Sequence, residues 1–455
     1  MSINKKTLLL TGPLNTQSGY GHHARSIFWA LYNPVKYDIK VIDVRWGDTP
    51  RNFLKADIPE HKILLDAILT DQTLNQQPDI YIDCRIPNEF QTFGKYNVGI
   101  TAGIETDAVS AKWIDSCNKM DLVIVPSEHS KTGFVSPIYD KYQNMPDGQQ
   151  QKVGELKLEK PMEVVFEGSD ENIYKPLKFD ELDDKLKKII NDLVPEKFAF
   201  LFVGQWTKGG YGEDRKDIGK LIKVFYETFA SQKKQPALIL KTSGATLSIS
   251  DQQEVIKKIK NIKEQFPYGW SLPNVYLLHG DLTDEEMNSL YNHPKIKAMV
   301  SFTHGEGFGR PFLEAAMTGL PIIASGWSGQ VDFLDERYTQ FISGDLQQVP
   351  KSAIWEDVII PESKWFVIND HEAYKALTHA FEHPNEIKEK AKAQMRKVRS
   401  KYTQQKMDEL LNEIIDKYTE HIASAVALKL PKLKKIDDNK PNIPKIKLPR
   451  LEKIT

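Results

Sequence analysis

Short apolar runs alternate along most of this chain with stretches in which apolar residues recur every three or four positions. The first pattern reads as buried strand and the second as amphipathic helix. Candidate strands fall at residues 7–11, 39–44, 80–83, 97–101 and 122–125, and a second series at 199–203, 237–241, 275–279, 298–302 and 322–325. Helical stretches lie between them, as at 220–230 and 254–265. Strand–helix alternation predicts parallel sheets with helices on both faces. Two such series predict an α/β protein of two doubly wound domains, whose ligands sit at the carboxyl ends of the strands.

The pattern lapses in places. Residues 136–160 are polar and read as a long irregular loop, and 342–365 as a second weakly patterned stretch. A charged helix candidate at 180–192 follows Tyr174-Lys175-Pro176, which places a domain boundary near 175. From 370 to about 428 the reading is almost wholly helical, interrupted at His383-Pro384. Residues 429–455 hold nine basic and three acidic residues and prolines at 431, 441, 444 and 449. Such a segment cannot bury a core, reads as disordered, and is the one stretch suited to peripheral contact with an anionic membrane surface.

Composition narrows the class. A length of 455 residues suits two domains, and 40% apolar with 27% charged residues is ordinary for a soluble protein. Its 61 basic and 62 acidic residues leave a net charge of −1, against the basic footprint of a general nucleic-acid binder. That balance is a sum of unlike parts, because the basic tail leaves the rest of the chain net acidic. Two cysteines, Cys84 and Cys117, make neither a disulfide framework nor a four-ligand zinc site, which fits a reducing, cytoplasmic setting. The leucines at 8–10 are too short a run for a signal peptide, and no stretch reaches the ~20 apolar residues of a membrane span.

The strongest chemical signal is His304-Gly-Glu-Gly-Phe-Gly-Arg-Pro-Phe-Leu-Glu314, directly after a strand candidate. Gly305, Gly307 and Gly309 allow backbone amides to approach a ligand, and Pro311 suits the first turn of a helix. Free amides at a helix start form an anion site. Glu306 in the loop and Glu314 in the helix add two carboxylates, acceptors for vicinal hydroxyls, so the pattern points to a sugar nucleotide. The plainer alternative is a glycine-rich turn with a glutamate on the helix dipole.

Residues 305–325, with the turn Gly326-Trp-Ser-Gly-Gln330, resemble the Glu-x7-Glu region of family 4 retaining glycosyltransferases, and the similarity runs from about residue 8 to 420. The resemblance implies the GT-B fold, with two Rossmann-like domains facing a central cleft. Residues 1–175 would form the acceptor domain and 176–399 the nucleotide-sugar domain, with a helix of about 400–427 returning onto the first. It implies that Glu306 binds the donor sugar, Glu314 the ribose and Lys216 the diphosphate, with Glu306 and Lys216 the catalytic residues. Gly307, Phe308 and Gly309 would line the donor, and Gly19 and Gly21 match a glycine-rich turn facing it; His22 and His23 beside them suit a capping or solvated role equally well. Gln205 stands where relatives carry an arginine, and Arg215 or Lys208 are the candidate replacements. Glu105 or Thr106, and more weakly Asp107, fall on the acceptor side, and the backbone of Asp281 or Leu282 near the base. Ser127 reads as a helix N-cap and Asp170 as a backbone-stabilising turn residue.

The chain has no Asp-x-Asp and no His/Cys cluster with metal spacing, so the expected chemistry uses neither metal nor other cofactor. The expectation is a hexosyltransferase moving sugar from a UDP- or GDP-sugar donor to a hydroxyl of a glycan, lipid or protein acceptor. A non-catalytic sugar-nucleotide-binding scaffold and a GT-B nucleobase (DNA) glucosyltransferase are the alternatives.

Overall fold

The structure is a computed structural model that describes residues 5–71, 74–145, 149–206, 211–244 and 246–422. The tail at 429–455 and Lys208 lie outside the described residues.

The N-terminal half runs β1 (Lys6–Gly12), α1 (Gly19–Leu31), β2 (Tyr37–Asp43), α2 (Pro59–Ala67), β3 (Ile80–Cys84), β4 (Tyr96–Ile100), α3 (Ala111–Cys117), β5 (Leu122–Val125), α4 (Glu128–Val135), β6 (Tyr139–Asn144), β7 (Gln150–Leu156) and β8 (Met162–Val164). The second half continues with α5 (Asp184–Leu193), β9 (Ala199–Val203), α6 (Ile218–Phe229), β10 (Ala237–Lys241), α7 (Ile249–Lys263), β11 (Val275–Leu278), α8 (Asp284–Asn292), β12 (Ile296–Ser301), α9 (Arg310–Thr318), β13 (Ile322–Ser325), β14 (Gln340–Ile342), β15 (Gly344–Gln348), β16 (Lys364–Ile368), α10 (Asp370–Glu382), α11 (Pro384–Lys401) and α12 (Gln404–Thr419).

Two parallel six-stranded sheets result, in the orders β2-β1-β3-β4-β5-β8 and β11-β10-β9-β12-β13-β14. Their central strands are buried on both faces, which is why Ala199–Val203 and Leu122–Val125 are nearly unbroken apolar runs. In β9 the alternation sorts the layers. Phe200 and Phe202 pack with Leu221, Phe225 and Phe229 of α6, whereas Ala199 and Leu201 pack with Phe312 and Leu313 of α9. In β1, Leu8 and Leu10 pack with Ile27 and Phe28 of α1 and with Met407, Leu411 and Ile415 of α12. Thus α12, late in the chain, closes the N-terminal core, and its Asn412 Nδ2 donates to the Ala30 carbonyl at 2.7 Å.

Two expectations are corrected. Residues 136–160 are not an irregular loop: β6 and β7 form an antiparallel hairpin there. The stretch 342–365 likewise contains β15 and the start of β16, its antiparallel partner, with the intervening residues folded back toward α3. In β6, β7 and β15 the apolar residues are few and Tyr142, Val153 and Leu346 among them are exposed, so these strands lack the buried apolar alternation that marks a strand. The helix placed at 180–192 starts later, at Asp184, where the Asp183 carboxylate caps the Leu186 amide at 2.8 Å.

Candidate active site

Strand order in the second sheet reverses between its central neighbours β9 and β12. The chain leaves β9 toward α6 on one face and β12 toward α9 on the other, so their loops diverge and leave a crevice at the carboxyl ends. Both loops carry the charged residues. The Arg215 carbonyl accepts from the His304 amide at 3.0 Å, tying the two loops together.

Lys216, from the first loop, ion-pairs with Glu306 from the second, and both are buried. Arg215 Nη1 lies 3.9 Å from Glu306 Oε2. Burial alone would push the Glu306 carboxyl up, but Lys216 and then Arg215 outweigh it and hold it below the usual carboxylate range. Burial also lowers the Lys216 ammonium, with Glu306 opposing. The Glu306 amide donates to Ser328 Oγ at 2.9 Å, and its carbonyl accepts from the Gly329 amide at 2.9 Å, which fixes the loop.

Gly309 caps α9 with φ +94°, a left-handed conformation natural to glycine. The helix start that follows carries Arg310 and Pro311, as the sequence pattern requires. Glu314, one turn in, is buried; its Oε2 accepts from the Tyr291 hydroxyl at 3.2 Å and its Oε1 lies 3.3 Å from Arg310 Nε. Burial pushes its carboxyl up to about 7, against the opposing Arg310. Burial similarly raises Glu167, from the N-terminal half, to about 7, with Arg310 opposing and Glu314 and Glu306 reinforcing. Arg310 Nη1 and Glu314 Oε1 are buried without a hydrogen-bond partner among the described residues.

The first half supplies the opposite wall. Ser127 and Ser130 hydroxyls donate to the Gly307 carbonyl, and a side chain at Gly307 would collide with the Ala102 carbonyl. Ser127 also caps α4. Arg215 Nη1 meets Glu105 Oε1 at 2.7 Å, so Glu105 stands at the crevice. Its neighbours Thr106 and Asp107 make backbone contacts instead. Thr106 Oγ1 donates to the Ala108 carbonyl at 3.2 Å, and Asp107 Oδ1 accepts the Lys364 amide at 2.7 Å. Gly21 sits in the α1 start capped by Ser18 Oγ at 3.0 Å, while Gly19 is exposed. Burial, then Arg310, lowers both His22 and His23, the latter to about 4, leaving neutral imidazoles. Asp170 Oδ1 accepts the Asn172 amide at 2.8 Å in a turn, and Thr283 and Glu286 form a reciprocal cap on α8.

Sequence reasoning missed Arg310 and Glu167 as members of this cluster. The pair Arg310–Glu314 has helical i, i+4 spacing and was open to reading; Glu167 reaches it only through the fold. Among the described residues no group of three or more His, Cys, Asp or Glu side chains is arranged to hold a metal ion, and no helix is long and apolar enough to cross a membrane.

No family model and no curated protein matches the chain in sequence. Solved structures do match its shape. Anabaena HepE, crystallised with UDP and glucose, is 13% identical, with a TM-score of 0.58 over 90% of this chain and 100% of that one. Sucrose-phosphate synthase from Thermosynechococcus elongatus is 12% identical, with a TM-score of 0.59 over 91% and 99%. The α,α-trehalose 6-phosphate synthase of Burkholderia multivorans is 8% identical, with a TM-score of 0.57 over 92% and 100%. With its two parallel six-stranded sheets, their central crevice and these neighbours, the chain has the GT-B fold.

Proposed function

We propose that the chain is a retaining, metal-independent glycosyltransferase of the family 4 type, moving a sugar from a UDP- or GDP-sugar to an acceptor hydroxyl. The observation that carries this reading is the meeting of Lys216 and Arg215 with Glu306 at the crevice between β9 and β12, one helix start away from Glu314. Lys216, Arg215 and the amides opening α9 offer positive charge to the leaving diphosphate. Arg215 thereby takes the place left by Gln205. Glu306 accepts hydroxyls of the donor sugar and Glu314 those of the ribose. Two neighbours support a nucleotide-sugar donor, since HepE was crystallised with UDP-glucose and the E. coli trehalose-6-phosphate protein with UDP-2-fluoro glucose.

In this reading the acceptor oxygen attacks the anomeric carbon from the side of the leaving group. The bond from that carbon to phosphate oxygen breaks, the bond to acceptor oxygen forms, and the departing phosphate takes the acceptor proton. Contact between the 102–107 and 303–309 loops keeps water from the same carbon. Analysis of the product by NMR tests the mechanism: the donor's anomeric configuration is retained and turnover persists in EDTA. An inverted product, or strict metal dependence, refutes it.

A further inference from the structure

The N-terminal sheet has its own reversal of strand order, between β1 and β3. The chain leaves β1 toward α1 on one face, whereas the connection after β3 sends Phe90 to the other. Crevices of this kind bind ligands in doubly wound sheets. A cavity of about 500 Å³ lies on the sheet face beside this one, running from Pro78, just before β3, past Leu9 and Thr11 of β1 and Tyr81 of β3 to Val44 and Gln91 beyond the strand ends. Among the described residues the β3–β4 connection forms only the short turn Pro87–Glu89, so no helix covers this part of the sheet. A second cavity of about 510 Å³ surrounds Lys5, Thr7 and Tyr37 at the other end of the strands, away from the cleft.

The lining decides what the first cavity takes. Its walls are mostly aliphatic and aromatic, with Thr11 and Gln91 polar, and the one charged group, Arg85, is already neutralised: Nε and Nη2 donate to the two oxygens of Asp83 at 2.7 Å each, and Nη2 to the Glu89 carbonyl at 2.6 Å. An anion therefore finds no free positive charge there. Thr11 Oγ1, in a residue only 3% exposed, lies near the Tyr81 hydroxyl without a well-formed hydrogen bond. Thr11 and Gln91 offer a few polar contacts in a mostly apolar hollow, the composition of a small-molecule pocket. From the Val44 end of the cavity a short run of contacts leads toward the cleft. Val44 leads to Trp46, whose ring lies 4.2 Å from that of Tyr20. The Tyr20 hydroxyl meets Thr101 Oγ1 at 2.8 Å and accepts the Ala102 amide at 3.1 Å, on the loop that carries Glu105 to Arg215.

We infer that this cavity seats the apolar body of the acceptor. The acceptor presents a hydroxyl to the cleft past Tyr20 and Trp46 and buries an aryl or alkyl group against Leu9, Ile42, Tyr81 and Phe93. This rests on the transfer reading above, and it makes a purely carbohydrate acceptor a poor fit.

Calorimetric titration of the full chain tests it with 2-naphthol and 1-octanol as the aryl and alkyl probes and glycerol as the hydroxyl-only control. At least one apolar alcohol binds one-to-one and glycerol does not. Val44→Asp combined with Phe93→Ala weakens that binding about tenfold or more, while UDP binding, measured in parallel, stays unchanged and shows the variant is folded. Thr11→Val weakens 2-naphthol and spares naphthalene. Binding that ignores the double variant, or glycerol binding as well as the apolar alcohols, overturns the inference. The titration needs no turnover, so its failure speaks against the cavity, whereas absence of nucleotide release with every donor speaks against the transfer reading alone.

Discussion

Lys216 and Glu306 are buried partners, and neither can be removed without stranding the other's charge. Breaking such a pair typically costs about 3–5 kcal/mol, whereas replacing both members costs much less. Lys216→Met therefore lowers the urea midpoint of the full chain markedly, and adding Glu306→Gln recovers part of the loss. Strictly additive losses would show that the two side chains do not interact. Asp217, next along, sits at φ +48° with neither carboxylate oxygen hydrogen-bonded, and burial, reinforced by Asp214, pushes it up to about 8. It holds a proton in the fold that an unfolded chain releases near pH 4, so its contribution falls as pH rises from about 4 to 8. Asp217→Asn, which tolerates the left-handed backbone, should flatten that loss in urea titrations at pH 5 and 8; an unchanged slope rules out the buried proton. At this scale the sequence was readable where spacing carried position, as for Glu306 in the loop and Glu314 one turn into the helix. The Arg215–Glu105 pair was not, because its members come from opposite halves of the chain and meet only in the fold.

The elements of the two sheets were largely legible because double burial writes long apolar runs into central strands. The edge strands β8 and β14 escaped, being three residues each and only partly buried. The β6–β7 hairpin escaped because Tyr142 and Val153 point into solvent beside charged neighbours, leaving no apolar face to read. Loops matter as much as strands here. Gly307 lets the 303–309 loop rest on Ala102 and Gly103, and a methyl group there meets the Ala102 carbonyl. Gly307→Ala should part the loops and reduce transfer about a hundredfold, the scale of an ångström-level misplacement, while circular dichroism stays native. Wild-type turnover in that variant would mean the loop contact is idle.

Across the whole molecule the two halves meet along more than the donor loops. Ser110 Oγ donates to the Asp357 carbonyl at 2.9 Å, Lys112 pairs with Asp357 at 2.6 Å, and the Glu128 amide donates to Asp332 at 2.8 Å. These contacts join the two halves beyond the Lys216–Arg215–Glu306 cluster, and everything proposed for function depends on that cluster being the donor site. The most direct test is nucleotide release from a panel of UDP- and GDP-sugars by the wild-type chain, Lys216→Ala and Glu306→Ala, each checked for a native fold. Release by the wild type from at least one donor is predicted, with a loss of about a hundredfold or more in both variants. Full release by both folded variants would contradict the account.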